Sequence, residues 1–328
     1  MAEMMRTDSV MTSKDKREHV QIRIGYHRMD HKVDPGLYLI GVPSAASPVF
    51  VTSNYKLSFD ALRTSLNGFD AYVLVLDTKG INVWCAAGKG TFGTDELVGR
   101  IESSGLKDVV SHREVILPQL GAPGVAAHEV KRRTGFQVIY GPVRALDIKE
   151  FMDAGKKASK EMRRVRFPLK DRLVLAPVEM KNFVLYALLF SIIGFLIAGA
   201  FGLAVVFGIY FAGLLLFPLL LPYLPSKDFT MKGMFLGGLI SIPLVAATLC
   251  LWKDMDPIEV ASFDASIVLM CVSVVGYLGL NWTGCTPYPS RTGVRREIYR
   301  YIPIIAAMAV AATVLALVAG LFDMGAWF

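Results

Sequence analysis

The chain is organised around the stretch Asn-Val-Trp-Cys-Ala-Ala-Gly-Lys-Gly-Thr-Phe-Gly at residues 82–93. It follows an apolar run at 71–76 and places one cysteine, Cys85, among glycine and alanine. Small residues beside a thiol allow a flat, bulky partner to approach the backbone closely. A thiolate is also a soft ligand, which suits late transition metals and binds magnesium or calcium poorly. These residue types are therefore compatible with a soft metal at Cys85.

Three other interpretations of this stretch compete with a metal partner. A phosphate-binding loop needs a glycine five positions before its Gly-Lys pair and Ser or Thr directly after the lysine, but those positions hold Val83 and Gly90. A zinc site needs several ligands at short spacing, and no second Cys or His lies within twenty residues of Cys85. Free cysteine is often a buried structural residue, so on residue type alone that interpretation stays open.

Composition divides the chain into two halves. Of its 328 residues 53% are hydrophobic and the mean hydropathy is +0.45, which is too apolar for an ordinary soluble protein. The long uncharged runs all follow residue 181. We predict a flexible tail at 1–35, which lacks the apolar core of a signal peptide, and a domain at 36–166. A basic juxtamembrane linker at 167–181 and a transmembrane domain at 182–328 complete the chain.

The hydrophobic half predicts an all-α domain of five membrane spans. The uncharged run at 182–224 is long enough for two spans of about 20 residues, with a turn at 199–202. Runs at 233–252, 265–281 and 301–322 supply three more. None of these runs has a charged residue in its apolar core, which is typical of an anchor or docking platform rather than a transporter.

Charge in the connecting loops predicts the topology. The loops at 225–232 and 282–300 are basic, whereas Lys253 is the only basic residue in the loops at 253–264 and 323–328. Because positive loops stay inside, we expect a multi-pass protein of the cytoplasmic (inner) membrane. Its N-terminal domain would be cytoplasmic and its C-terminus outside. The net charge of +7 lies beside the membrane segments, so it does not predict binding to nucleic acid.

From Gly36 onward short apolar runs alternate with helical patterns, which predicts a Rossmann-like α/β domain. In open α/β sheets ligands bind at the carboxyl ends of the strands. The segments predicted there are 52–54, the Cys85 stretch, 121–124 and 140–142. Ordinary turn chemistry explains any one of these loops equally well; taken together they favour the floor of a cofactor site.

Residues 82–94 resemble the cap-helix signature of corrinoid proteins related to the large subunit of the corrinoid iron-sulfur protein of acetyl-CoA synthesis. With a hydrophobic half behind this motif, the chain is most similar to the HgcA family, the membrane-bound corrinoid proteins of bacterial mercury methylation. The resemblance implies a corrinoid cofactor, with Cys85 as the catalytic residue and lower axial ligand of its cobalt. The predicted cofactor-binding residues are Thr52, Asn54, Asn82, Val83, Trp84, Cys85, Ala86, Ala87, Gly88, Lys89, Gly90, Gly121, Gly124, Tyr140 and Gly141.

The same resemblance implies corrinoid-dependent methyl transfer to Hg(II), giving methylmercury. A sulfur ligand opposite the methyl group donates electron density and eases departure of that group toward a soft acceptor. The methyl donor is expected to be folate-linked. Because the chain has no cysteine cluster for an iron-sulfur centre, a separate ferredoxin-like reductant of the HgcB type is implied. Two alternatives stay open: a corrinoid methyl carrier of one-carbon, acetyl-CoA-type metabolism, and a membrane-tethered corrinoid store or sensor.

Overall fold

The computed structural model describes residues 4–253, 255–288 and 290–325. The chain divides into two compact units, Met1–Arg166 and Phe167–Phe328.

The first unit is built on a six-stranded mixed sheet in the order β1-β2-β4-β3-β5-β6. β4 pairs in parallel with β3, β3 with β5 and β5 with β6, whereas β2 runs antiparallel to β4. All six residues of β4 are buried, as expected for a strand covered on both faces. The strands are β1 (Met5–Arg6), β2 (Gly36–Ile40), β3 (Val49–Ser53), β4 (Ala71–Leu76), β5 (Glu114–Leu117) and β6 (Gln137–Tyr140).

Helices cover both faces of this sheet. On one face Leu74 and Leu76 pack with Leu97 and Ile101, and on the other Val73 belongs to a second core cluster. The prediction of an α/β domain is therefore confirmed, although the antiparallel β2 departs from a fully parallel, doubly wound sheet. The helices are α1 (Ser13–Arg23), α2 (Lys56–Ser65), α3 (Val83–Lys89), α4 (Thr94–Ser103), α5 (Leu106–Val109), α6 (Ala127–Thr134) and α7 (Ile148–Asp153).

The segment predicted as a flexible tail at 1–35 is instead folded from Met4 onward. β1 pairs with β2, and α1 begins with a capping box between Thr12 and Asp15. Charged contacts hold α1 to α2, including Lys56 Nζ to Asp15 Oδ1 at 2.6 Å. The sequence prediction failed because polar and charged side chains, rather than an apolar stripe, make most of this contact.

Residues 147–165 do not form the single amphipathic helix that their apolar spacing predicts. α7 ends at Asp153, and Gly155 and Lys156 follow with φ of +66° and +62°. Two successive residues in the left-handed region stop a helix, and glycine adopts that region at little cost. The remaining residues to Val165 form turns and irregular structure.

The second unit is helical. Within the described residues, four helices are long and apolar enough to cross a membrane: Leu169–Leu220, Phe229–Leu251, Pro257–Gly284 and Arg291–Ala319. The predicted linker at 167–181 is itself largely helical, because α8 lies within it and α9 begins at Ala176. The helices are α8 (Leu169–Leu173), α9 (Ala176–Phe211), α10 (Phe217–Leu220), α11 (Phe229–Leu251), α12 (Pro257–Asn281) and α13 (Arg291–Gly325), with a π-helical turn at Ala212–Leu216.

The first of these four long segments folds back on itself. Ala198 and Gly199 have non-helical backbone angles inside α9. The Tyr210 hydroxyl donates to the Met180 carbonyl at 2.6 Å, although 30 residues in one straight helix span about 45 Å. This hairpin favours the predicted count of five spans, which stays a prediction, as does the external C-terminus; residues 326–328 lie outside the described residues.

Candidate functional site

Cys85 lies near the beginning of α3, a helix of seven residues. The Asn82 side chain caps this helix, because its Oδ1 accepts a hydrogen bond from the Cys85 backbone N–H at 2.9 Å. Gly90 ends the helix with a φ of +86°, a conformation that glycine adopts without strain. Asn82 and Gly90 therefore fix the length of α3 and the position of Cys85 within it.

The two faces of α3 differ sharply. Val83, Ala86 and Ala87 are buried against the core. Cys85 is half-buried and Trp84 is 37% exposed. Gly88, one turn after Cys85, is exposed and carries no side chain. Cys85 is therefore partly exposed next to one residue without a side chain, and it is not sealed in the apolar interior.

A cavity of about 330 Å³ lies at the carboxyl ends of β3, β5 and β6, beside the beginning of α3. Because β4 and β5 lie on opposite sides of β3, this is also where the strand order reverses, the usual position of a ligand in such sheets. The predicted residues Thr52, Asn82, Val83, Trp84 and Gly141 line it.

Three groups of cavity-lining residues were absent from the predicted set of cofactor-binding residues. Ser58, Ala61 and Leu62 come from α2, Ile116, Leu117, Pro118 and Leu120 from the end of β5 and the turn after it, and Val143, Ala145 and Ile148 from the segment after β6. The apolar face of α2 carried the signal for Leu62, but nothing in the sequence indicated which strand ends that face would cover. Val143 and Ala145 lie beyond the predicted loop at 140–142, and Ile148 was assigned to a longer helix.

Several predicted cofactor-binding residues hold α3 from behind. A Cβ on Gly124 would lie 2.1 Å from the Phe92 carbonyl oxygen and 3.0 Å from the Ala87 Cα. A Cβ on Gly121 would lie 2.5 Å from the Phe92 ring. The glycines at 121 and 124 therefore allow their loop to pack closely against the end of α3, and neither lines the cavity.

Asn54 was also predicted to bind the cofactor, but it is only 1% exposed and does not line the cavity. Its side chain hydrogen-bonds the loop at 77–80, directly before α3. Tyr140 is half-buried, and its hydroxyl donates to the Val125 carbonyl at 2.8 Å. Burial raises the pKa of Tyr140, so this hydroxyl stays protonated and acts as a tie between β6 and the loop before α6.

The remaining predicted residues divide between the two faces of α3. Ala86 and Ala87 pack inward, whereas Lys89 and Gly90 are exposed on the outer surface with Gly88. Within the described part of the chain there is no group of three or more His, Cys, Asp or Glu side chains that could hold a metal ion. A metal bound at Cys85 would therefore have to bring its other ligands with it, as a metal in a macrocycle does.

Comparisons with known proteins found similarity over a little more than a third of the chain. The profile of the family described as CO dehydrogenase/acetyl-CoA synthase delta subunit matches residues 25–152. The gamma subunit of the acetyl-CoA decarbonylase/synthase complex of Methanopyrus kandleri is 32% identical over 128 residues, covering 38% of this chain and 27% of that protein. A gamma 2 subunit from Methanosarcina thermophila is 35% identical over 115 residues, covering 34% and 24% respectively.

The chain thus spans about a quarter of the length of these relatives, and the four apolar helices lie outside the matched segment. The matched segment runs from before β2 to α7 and includes the cavity and α3. Residues 25–152, with Cys85 among them, are therefore similar to the CO dehydrogenase/acetyl-CoA synthase delta subunit family, and the matches to the gamma subunits cover a comparable share of the chain.

Proposed function

We propose that the first unit binds a corrinoid, with the Cys85 sulfur as the lower axial ligand of its cobalt, and that the chain takes part in methyl transfer. The observation that carries this proposal is the half-buried Cys85 on α3, next to the exposed Gly88, in a helix whose first residues line the cavity at the strand ends. One soft ligand suits a late transition metal whose other positions are already filled. The relationship of residues 25–152 to acetyl-CoA decarbonylase/synthase subunits supports the same conclusion.

When bound, a corrinoid supplies a cobalt that accepts and releases a methyl group. The residues of the chain provide the support. Cys85 offers sulfur from a fixed position, because Asn82 caps its helix and Ala86 and Ala87 anchor the opposite face. Gly88 leaves the surface next to the thiol free for a flat ring. The cavity beside Asn82 and Trp84 would receive another part of the cofactor.

For the methyl acceptor we propose Hg(II), a soft Lewis acid. Support comes from the similarity of residues 82–94 to the HgcA family and from the apolar helices that follow the matched segment. The chain covers only about a quarter of each relative, and it carries apolar helices long enough for a membrane domain. Both observations are reasons to look for an acceptor outside the acetyl-CoA complex.

The names of the relatives favour a second candidate function. They are subunits of the acetyl-CoA decarbonylase/synthase complex, so on the comparisons by themselves a corrinoid methyl carrier of one-carbon metabolism is the better-supported candidate. In either case we propose protein partners. These are a ferredoxin-like reductant, of the HgcB type if the acceptor is mercury, and a folate-linked methyl donor.

We also propose that the second unit anchors the chain in the inner membrane with five spans, the first unit lying in the cytoplasm. The hairpin at Ala198 and Gly199 supports two spans within Leu169–Leu220. The basic residues at 225–232 and 282–300 support the orientation.

The test uses the full chain in detergent, loaded with corrinoid and supplied with a methyl-folate donor system and a low-potential reductant. One arm receives Hg(II) and the other a carbonylating acetyl-CoA synthase. Methylmercury formed by the wild type and lost by at least tenfold in Cys85→Ala supports the mercury proposal, with Cys250→Ala, an exposed cysteine of the second unit, as the matched control. Methyl transfer only to the synthase supports the one-carbon carrier. Stoichiometric corrinoid binding without turnover in either arm supports a store or sensor and contradicts methyl transfer.

A further inference from the structure

The loop that connects β4 to α3 is held by one buried side chain, Asn54. This residue follows β3 and is 1% exposed. Its Oδ1 accepts from the Thr78 backbone N–H at 3.0 Å and from the Gly80 backbone N–H at 3.1 Å. Its Nδ2 donates to Asp77 Oδ1 at 3.0 Å. One amide therefore contacts three residues of the loop and uses its donor and acceptor sides on different partners.

Further polar contacts connect this loop to α3. The Thr78 hydroxyl lies 2.9 Å from Asn54 Oδ1 and 2.6 Å from the Ile81 carbonyl. Ile81 directly precedes Asn82, whose side chain caps α3 at the Cys85 N–H. A short chain of polar contacts thus runs from Asn54 through Thr78 and Ile81 to the cap of the helix that carries the thiol.

The backbone of the loop is also constrained. Lys79 and Gly80 both have positive φ, +58° and +72°. A Cβ on Gly80 would lie 2.4 Å from the Met29 carbonyl oxygen, so the loop also packs tightly against the segment before β2. A buried polar group that loses its partner is costly, and here the unpaired groups would be the Thr78 and Gly80 amides.

We infer that Asn54 is a positioning residue for Cys85: it fixes the 77–81 loop and thereby the direction in which α3 presents the thiol. The chemical consequence of this inference rests on the proposed role of Cys85 as a cobalt ligand. The geometric claim, that Asn54 fixes the loop and α3, concerns the protein without cofactor. Asn54 does not touch the cofactor in this account. This positioning role replaces the sequence prediction that Asn54 binds the cofactor directly.

The geometric claim is tested on the full chain in detergent without corrinoid. Asn54→Ala is expected to raise the amide hydrogen-exchange rate of residues 82–86 by at least tenfold. The rate at which iodoacetamide alkylates Cys85, followed by mass spectrometry of its peptide, is expected to change as well. Exchange in β5 serves as the internal reference for global stability. Equal increases in α3 and β5 would mean a merely structural role and would overturn the inference.

A swapped pair separates the hydrogen-bond pattern from loss of packing. Asn54→Asp puts a carboxylate beside Asp77 Oδ1 and is expected to free α3 as Asn54→Ala does. Adding Asp77→Asn restores one donor between the two side chains, and the exchange rates of residues 82–86 should return to within about threefold of wild type. Failure of this rescue would contradict the assigned contacts. Asn67→Ala, at an exposed asparagine that accepts from Ser9, is the neutral control.

Loading the same proteins with corrinoid then separates this inference from the proposed function. If both hold, Asn54→Ala still binds the cofactor but shows a smaller fraction with the absorption spectrum of sulfur ligation than wild type at saturation. If wild type shows no sulfur ligation, the proposed function fails while the exchange result still decides the role of Asn54. A wild-type spectrum in Asn54→Ala at saturation would overturn the inference.

Discussion

At Cys85 the arrangement of neighbouring residues explains why the motif contains these residue types. Asn82 stands three positions before the cysteine, the spacing at which an N-cap side chain reaches a backbone N–H. Ala86 and Ala87 are small because they face the core next to the close-packed Gly124. Asn82, Ala86 and Ala87 thus hold α3 in place, and Gly88 adds no side chain to its outer face.

Asn82→Ala should destabilise the first unit by about 1 kcal/mol, because α3 loses its only side-chain cap. Asn82→Ser, which keeps an acceptor at the cap, should recover most of that loss. Denaturant unfolding of the full chain, with hydrogen exchange in α3 as the readout, measures the stability of both variants. Equal stability of Asn82→Ala and wild type would mean that the cap contributes nothing.

Gly124→Ala should cost about 1–3 kcal/mol by overpacking, because the new Cβ meets the Phe92 carbonyl and the backbone of Ala87. The matched control is Gly99→Ala in α4, where a Cβ has no atom within 4 Å outside its own helix and should stabilise by about 0.5–1 kcal/mol. Thermal unfolding midpoints compare the two variants. A Gly124→Ala midpoint at or above wild type would contradict the close packing behind α3.

The sequence singled out Cys85, because the composition of residues 82–93 is unusual and the residues are adjacent; that Cys85 is a cobalt ligand stays a prediction. It could not separate residues that line the cavity from those that support α3. Asn54, Gly121 and Gly124 have the residue types of a ligand-binding loop. Only the distances to Thr78, Phe92 and Ala87 reveal that they act from behind.

Among the secondary-structure elements, α1 differs most from the sequence prediction. Its attachment is a cluster around Asp60, whose side chain is fully buried and contacts Lys56, Arg63 and His19. Hydrophobic periodicity carries no information about such a cluster, because its side chains are polar and the pairs that join α1 to α2, His19 with Asp60 and Asp15 with Lys56, are 41 residues apart in the chain. Charge pairing across α1 and α2 therefore had to be seen in the structure.

The contact between α1 and α2 should weaken in acid. Burial raises the pKa of Asp15, but hydrogen bonds from Lys56 and Thr12 lower it more, and the net pKa lies well below the ordinary value. A carboxyl with a depressed folded-state pKa stabilises the fold above its unfolded pKa of about 4 and loses that contribution as pH falls further.

The protection factors of the α1 amides, which compare the observed exchange rate with the intrinsic rate at the same pH, should therefore fall as the pH drops below about 4. Asp15→Asn should show low protection factors already at neutral pH, with a flatter acid response. The matched control is Asp95→Asn, at an exposed carboxylate near α6. An unchanged acid response in Asp15→Asn would show that another group controls the docking of α1.

The hairpin within α9 depends on two glycines. A Cβ on Gly202 would lie 1.9 Å from the Gly194 carbonyl oxygen, so the backbones approach as closely as small residues allow. Gly202→Ala should lower the unfolding midpoint of the second unit in detergent, by the equivalent of about 1–3 kcal/mol. Gly208→Ala, whose Cβ would meet only Leu244 Cδ1 at 4.0 Å, should not. Equal midpoints would argue against a tightly packed hairpin.

For the whole molecule, composition predicted the division into an α/β unit and a helical unit well, because a long change in hydropathy is a strong signal. The bounds of the matched segment, 25–152, agree with a domain that is complete within the first unit. The sequence was weaker on the strand order and on the antiparallel β2, since strand pairing depends on contacts distant in the chain.

Cobalt X-ray absorption of the full chain loaded with corrinoid tests the central claim most directly. The wild-type protein should have one sulfur atom bound to cobalt, Cys85→Ala should have none, and Cys250→Ala should match the wild type, because Cys85 is the cysteine of α3 and Cys250 lies in the second unit. A wild-type spectrum without a sulfur neighbour, or a sulfur neighbour that persists in Cys85→Ala, would contradict the proposed ligation.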